Sequence, residues 1–170
     1  MPARTPAGIA PFLAVLVIAT PAFAAEPAPE ASYKDWSVFV REVDGDKICF
    51  AATAAKDKSP KSVNHGDVFF LVATWKSGAA TNQPSLMTGY NLKDAPAPSL
   101  RIDSEKWDMY VSENEAFIES AKSEQSLISA MKRGADMRVS AMSNRGTATS
   151  YVMSLQGVTA ALDRVKEACR

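Results

Sequence analysis

Two cysteines and a single histidine are the side chains of this 170-residue chain best suited to covalent or metal chemistry. A thiol beside an imidazole can serve as nucleophile and base, provided the thiol is reduced, of low pKa and set in a cleft. Cys49 stands instead between Ile48 and Phe50 in an alternating run, and His65 sits among turn residues in "VNHGD". The first reads as a structural cysteine and the second as a surface-loop histidine. A zinc site needs clustered ligands, and one histidine with two distant cysteines does not make one. Met87, Met109, Met131, Met137, Met142 and Met153 are soft donors, but they are spread over separate strands and a helix, mostly at core-facing positions. Core filling is the better reading, so no metal and no cofactor is expected.

Carboxylates are the other candidates. Paired acids hydrolyse glycosides, and Asp103, Glu105 and Asp108 lie close in sequence. They read as the solvent side of a strand and its turn, so no catalytic residue is assigned; a glycan-acting hydrolase built on 103–108 stays as the alternative function. "KDKSPK" at 56–61 offers three lysines that could touch anionic lipid or polysaccharide, although such a run is often merely solvated. Arg145 sits in "SNRGTATS", a hairpin loop in which Gly146 supplies an unusual backbone angle.

The elements that must position these residues follow from pattern. "YKDWSVFVR" alternates, with Trp36, Val38 and Val40 on one side, so it reads as a strand. Asp44-Gly45 is a hairpin signal, and "KICFAAT" returns as a second strand with a small face of Cys49, Ala51 and Thr53. Residues 56–67 form a loop. "VFFLVATW" (68–75) is apolar almost throughout and reads as a strand buried on both faces. Further strands are expected at 84–91, 99–103, 106–111, 115–118, 136–143 and 147–156. A helix spans "SEQSLISAMKRG", with Ser123 as N-cap and Gly134 past its end. The closing segment places Val158, Ala161, Leu162, Val165 and Cys169 on one helical face. About eight or nine strands, two helices and no βαβ alternation argue for an antiparallel sandwich or barrel. Trp36, Phe69, Leu71, Trp107, Tyr151, Leu155, Leu162 and Val165 are expected to be buried.

The N-terminus differs in kind. Arg4 is followed by the apolar run "IAPFLAVLVIA" and then by "TPAFAAE", which reads as a secretory signal peptide over 1–24 with cleavage between Ala24 and Ala25. The run is too short to span a bilayer comfortably, so no stable membrane span is expected after cleavage. Residues 25–32 are Pro-, Ala- and Glu-rich and read as a disordered leader, leaving 33–170 as one domain. Export removes one of 19 basic residues and none of the 19 acidic ones. The resulting charge of −1 lacks the basic excess of a nucleic-acid binder.

An oxidising destination bears on the two cysteines. Cys169 shares the apolar face of the last helix, and the small face around Cys49 would let that helix come close. A Cys49–Cys169 disulfide is the expected outcome; buried free thiols or intermolecular pairing are the alternatives.

The C-terminal third, in "LISAMKRGADMRV", "SNRGTATSYVMSLQGVTAAL" and the terminal cysteine, resembles the invasion-associated locus B family of exported α-proteobacterial proteins. "KDWSV", "KICFAAT", "KSPKSVNHGDVFF" and "NQPSLMTGY" fit the same pattern. The resemblance implies a periplasmic, envelope-associated or secreted protein with an immunoglobulin-like β-sandwich. The family's name records an association with host-cell invasion, not a reaction. Many relatives carry a cysteine shortly after the first tryptophan; this chain has Val40 there. The function expected is non-enzymatic contact with an envelope or host-surface partner.

Overall fold

The structure, a computed structural model, describes residues 28–170. The signal segment 1–24, its cleavage at Ala24 and Ala25, and residues 25–27 of the leader lie outside the described residues. The chain runs β1 (Ala31–Tyr33), β2 (Trp36–Val43), β3 (Asp46–Ala54), β4 (Asp57–Ser59), β5 (Val68–Trp75), β6 (Gln83–Thr88), β7 (Ser99–Ile102), β8 (Glu105–Ser112) and β9 (Glu115–Ile118). Helix α1 (Ala121–Arg133), β10 (Asp136–Met142), β11 (Ala148–Ser154) and helix α2 (Val158–Ala168) complete it. The β2–β3 hairpin turns where its sequence says it should: Asp44 and Gly45 both take positive φ, 52° and 82°, as a tight two-residue turn requires.

All pairings are antiparallel and form one continuous sheet, in the order β1-β2-β3-β5-β6-β9-β8-β7-β10-β11-β4. That sheet doubles over in two places. β8 is shared: its first half, Glu105–Asp108, pairs with β7, and its second half, Met109–Ser112, pairs with β9. On the other side the chain passes from β3 into β4 through Ala55, whose N–H bonds to Val68 O, and Lys56, whose N–H bonds to Val152 O. The two halves enclose a single core, with Trp36, Val38, Phe70 and Leu86 from the first and Leu100, Val139, Tyr151 and Met153 from the second. The mainly β, antiparallel fold with its second helix at the C-terminus is as expected.

Four details depart from the sequence reading. The described residues hold eleven strands, because β1 and β4 have only three residues each, too few to display a period. Ala31 and Ser32, expected in the leader, pair with β2, so the fold starts inside that Pro/Ala/Glu stretch. Helix α1 is capped by Ser120, whose Oγ accepts from the Ser123 N–H at 3.2 Å; Ser123 is inside the first turn. Phe69 and Leu71 are only half-buried: Val68, Phe70 and Val72 take the inner face of β5, and alternation sends their neighbours outward. The other core residues expected, Trp36, Trp107, Tyr151, Leu155, Leu162 and Val165, are buried.

Helix α1 stops at Gly134, whose N–H bonds to Ala130 O at 2.9 Å. A side chain there would meet Ile102 Cγ2 at 2.6 Å, so the close approach of the chain to β7 requires glycine. Helix α2 packs against β1, β2, β3 and β5. It lies on the face that carries Cys49, Ala51 and Thr53, all buried. Cys169 is joined to Cys49 there with Cα atoms 5.8 Å apart, inside the range a disulfide needs.

Candidate functional site

The loops at one end of the folded sheet form a polar cleft of about 640 Å³. Three segments wall it: 63–65 from the β4–β5 loop, 89–91 after β6, and the β10–β11 hairpin. Main-chain bonds tie two walls together, Asn144 N–H to Asn91 O at 2.9 Å and Lys93 N–H to Met142 O at 2.8 Å. The third wall is fixed by Gly66, whose N–H donates to Asn64 Oδ1 at 2.9 Å, and by Lys58 Nζ on Gly66 O at 2.6 Å.

A buried chain of side-chain hydrogen bonds makes the floor. His65 is not on the surface, as its turn-rich neighbours suggested, but 6% exposed. Its Nε2 lies 2.8 Å from Pro60 O. Because a carbonyl only accepts, Nε2 carries the proton of the neutral ring, and Nδ1 accepts from the Tyr151 hydroxyl at 3.0 Å. Tyr151 Oη lies 2.5 Å from Tyr90 Oη, which lies 2.7 Å from Thr149 Oγ1. Burial pushes the Tyr151 phenol well above the usual range, so it stays a protonated donor. Both imidazole nitrogens are thus engaged, and His65 holds the floor together rather than offering a free base.

Arg145 stands exposed on the cleft's rim with the side chains of Asn64, Asn91 and Asn144. No carboxylate lines it. The groove beside it, of about 370 Å³, shares Val63, Asn64 and His65 and adds Lys56, Lys58 and Lys61. Lys56 pairs with Asp35 at 3.1 Å and Lys61 with Asp57, while Lys58 bonds only to a carbonyl. The lysine loop and the Arg145 hairpin, remote in sequence, therefore meet at one end of the molecule. The arrangement can hold an anionic or hydroxyl-rich group; it has no assembled nucleophile.

The remaining candidates are not brought together. Cys49 and Cys169 are consumed by the disulfide, leaving no free thiol among the described residues. Glu105 and Asp108 point to opposite faces of β8 by strand alternation. Each has its own cation: Glu105 lies 3.5 Å from Arg133 and Asp108 2.7 Å from Lys106. Asp103 sits in the β7–β8 turn with φ 50°. Among the described residues no group of three or more His, Cys, Asp or Glu could hold a metal. Met109, Met131, Met137 and Met153 fill the core, and Met87 and Met142 are half-buried. As residues of the site, Tyr90, Tyr151 and Thr149 escaped the sequence reading, since 59 to 86 positions separate the bonded residues.

A profile described as the invasion associated locus B (IalB) protein matches residues 36–166. The chain belongs to the IalB family. No curated protein matches it. Among solved structures it is similar to one described as the crystal structure of invasion associated protein B from Bartonella henselae. That likeness has a TM-score of 0.56 at 14% identity and covers 81% of this chain and 95% of that one. At that identity the likeness shows the IalB fold alone. None of the described helices is long and apolar enough to cross a membrane.

Proposed function

We propose that this IalB-family chain is an exported protein, periplasmic and envelope-associated or secreted, that works by contact and not by catalysis. The loop-end cleft is where it meets an anionic envelope or host-surface partner. The observation that carries this reading is the cleft itself: two of its walls are tied main chain to main chain and the third is held by side-chain bonds, its floor histidine is fully bonded, and its rim presents a guanidinium and amides with no acid among them. Preorganised walls cost little ordering on binding. The signal-peptide pattern, the disulfide and family membership support export. The hydrolase alternative lacks support from geometry, because Glu105 and Asp108 are paired separately and face apart and Asp103 sits in the turn between β7 and β8.

Co-sedimentation of the purified protein with isolated envelopes tests the reading. Binding should weaken as salt screens the charges and should fall several-fold in an Arg145→Glu, Lys58→Glu variant. A Glu105→Gln, Asp108→Asn variant should bind like the parent. Binding indifferent to the first pair, or glycan cleavage abolished by the second, would overturn it.

A further inference from the structure

Antiparallel sheets at a protein surface commonly show water a polar face. The first half of this sheet does not. Along the strand register its outer face puts Phe39, Phe50, Ala73 and Gln83 in one row, and Ser37, Ala52, Leu71, Ser85, Phe117 and Tyr110 in the next, so apolar side chains outnumber the polar ones in both. Phe39 stacks on Phe50 at 5.2 Å between ring centroids and Tyr110 on Phe117 at 5.7 Å. These aromatic side chains do not pack against the core. Both helices bury their apolar residues in the core on the inner side, so no described helix covers this face. At its margins Tyr110 is 49% and Val43 41% exposed.

We infer that this face is an interface between two copies of the chain, packed face to face about a two-fold axis. Three observations single out a second copy as the occupant. The first is extent. Six strands about 4.8 Å apart and four outward rows about 6.8 Å apart give a flat footprint of about 500 Å² before side-chain relief is counted. That whole face, with Ser37, Gln83, Ser85 and Ser112 among its apolar side chains, approaches the roughly 800 Å² per partner of a specific interface.

The second is charge. Within those four rows the face holds one cation, Arg41 in the Ile48–Trp75 row on β2, and one anion, Glu115 in the Phe69–Met87 row on β9. The next acid, Asp46, lies at the hairpin margin, where its Oδ1 accepts the Ser77 N–H at 3.2 Å. Arg41 and Glu115 occupy opposite corners. A two-fold axis lying in the face and perpendicular to the line between them sets each on its counterpart in the other copy. Such an axis passes near Leu71 and crosses the two sheets at about 90°, which is the orthogonal class of sheet packing. An isologous interface needs this kind of self-complementarity.

The third is the sequence of β5, which is apolar on both faces, whereas one copy buries only the inner one. A second copy supplies the missing cover for Phe69 and Leu71.

Sedimentation velocity of the purified, disulfide-intact protein over about 1–100 µM tests the inference. Twice the chain mass is expected. Leu71→Asp, an outer-face change that leaves the core untouched, should yield a monomer with an unaltered far-UV spectrum. Arg41→Glu and Glu115→Arg should each weaken association about 10-fold or more, and the double exchange should recover most of that loss, which no merely structural role for either residue would produce. A monomer throughout the range overturns the inference. So does a dimer indifferent to Leu71 and to the charge exchange. A monomer that instead binds phosphatidylethanolamine–phosphatidylglycerol vesicles through Leu71 overturns it in favour of lipid. Envelope binding through the cleft is read in a separate experiment with Arg145 and Lys58, so neither result stands in for the other.

Discussion

The Trp36 indole Nε1–H donates to the main-chain oxygen of Ser154 at 2.9 Å, joining the first long strand to the last across 118 positions. Both groups are buried, so the bond closes the core at the seam between the two halves of the sheet. Trp36→Phe removes the donor and strands a buried carbonyl, which alone costs about 1–3 kcal/mol. With the smaller ring added, denaturant titration should show a loss of about 2–4 kcal/mol.

The seam also carries a pH dependence. Asp35 accepts from the Ser154 hydroxyl at 2.5 Å and faces Lys56 at 3.1 Å. The hydroxyl first, and then the lysine, hold its carboxyl below the usual range. Its folded pKa lies under the unfolded value, so the stabilisation is present above the ordinary aspartate pKa of about 3.9 and is lost as pH falls through the lowered one. Unfolding midpoints measured from about pH 2 to 6 should fall on the acid side, and Asp35→Asn should flatten that fall.

The cleft floor makes a graded prediction. Tyr151→Phe removes the donor to His65 Nδ1 and leaves a buried nitrogen unpaired, at about 1–3 kcal/mol. Tyr90→Phe leaves the His65–Tyr151 bond in place and should cost less. Comparable losses from the two, measured side by side, would mean that the floor is not organised through Tyr151.

Leu162→Ala should cost about 2–5 kcal/mol, because α2 is docked and truncation leaves a cavity beneath it. Opening the Cys49–Cys169 bond, which closes a 120-residue separation, should cost roughly 4–5 kcal/mol on the chain-entropy account. Denaturation with and without reductant reads the second value, and loss of the bond should raise the sensitivity of α2 to proteolysis.

Gly157 precedes α2 with φ 95°. A Cβ at that position would sit 1.9 Å from Tyr33 O, a clash on top of the left-handed backbone. Gly157→Ala should therefore lower stability by at least about 2 kcal/mol, visible as a drop in Tm with loss of the β1–β2 edge.

Several of these features could be read before any coordinates. The Asp44-Gly45 hairpin, the small face of Cys49, Ala51 and Thr53, and the apolar stripe of α2 are local patterns, and the disulfide follows where two such faces must meet. The cleft could not be read that way. His65 stands among Asn, Gly and Asp, which mark a loop, and nothing in that loop announces Tyr151, 86 positions on, as the partner beneath it. Phe69 and Leu71 misled for a different reason. Alternation and apolar content show that a strand has two greasy sides, but they carry no information on whether the same chain covers both.

The disulfide has a consequence in time. A polypeptide emerges from its amino end, so Cys49 appears 120 residues ahead of Cys169 and waits as a thiol while β5 through β11 are made. Each strand pairing can form, fail and re-form during that interval without a covalent record. The bond cannot form until Cys169 has been made, so every strand of the sheet is already available to pair before the chain can be closed into a loop.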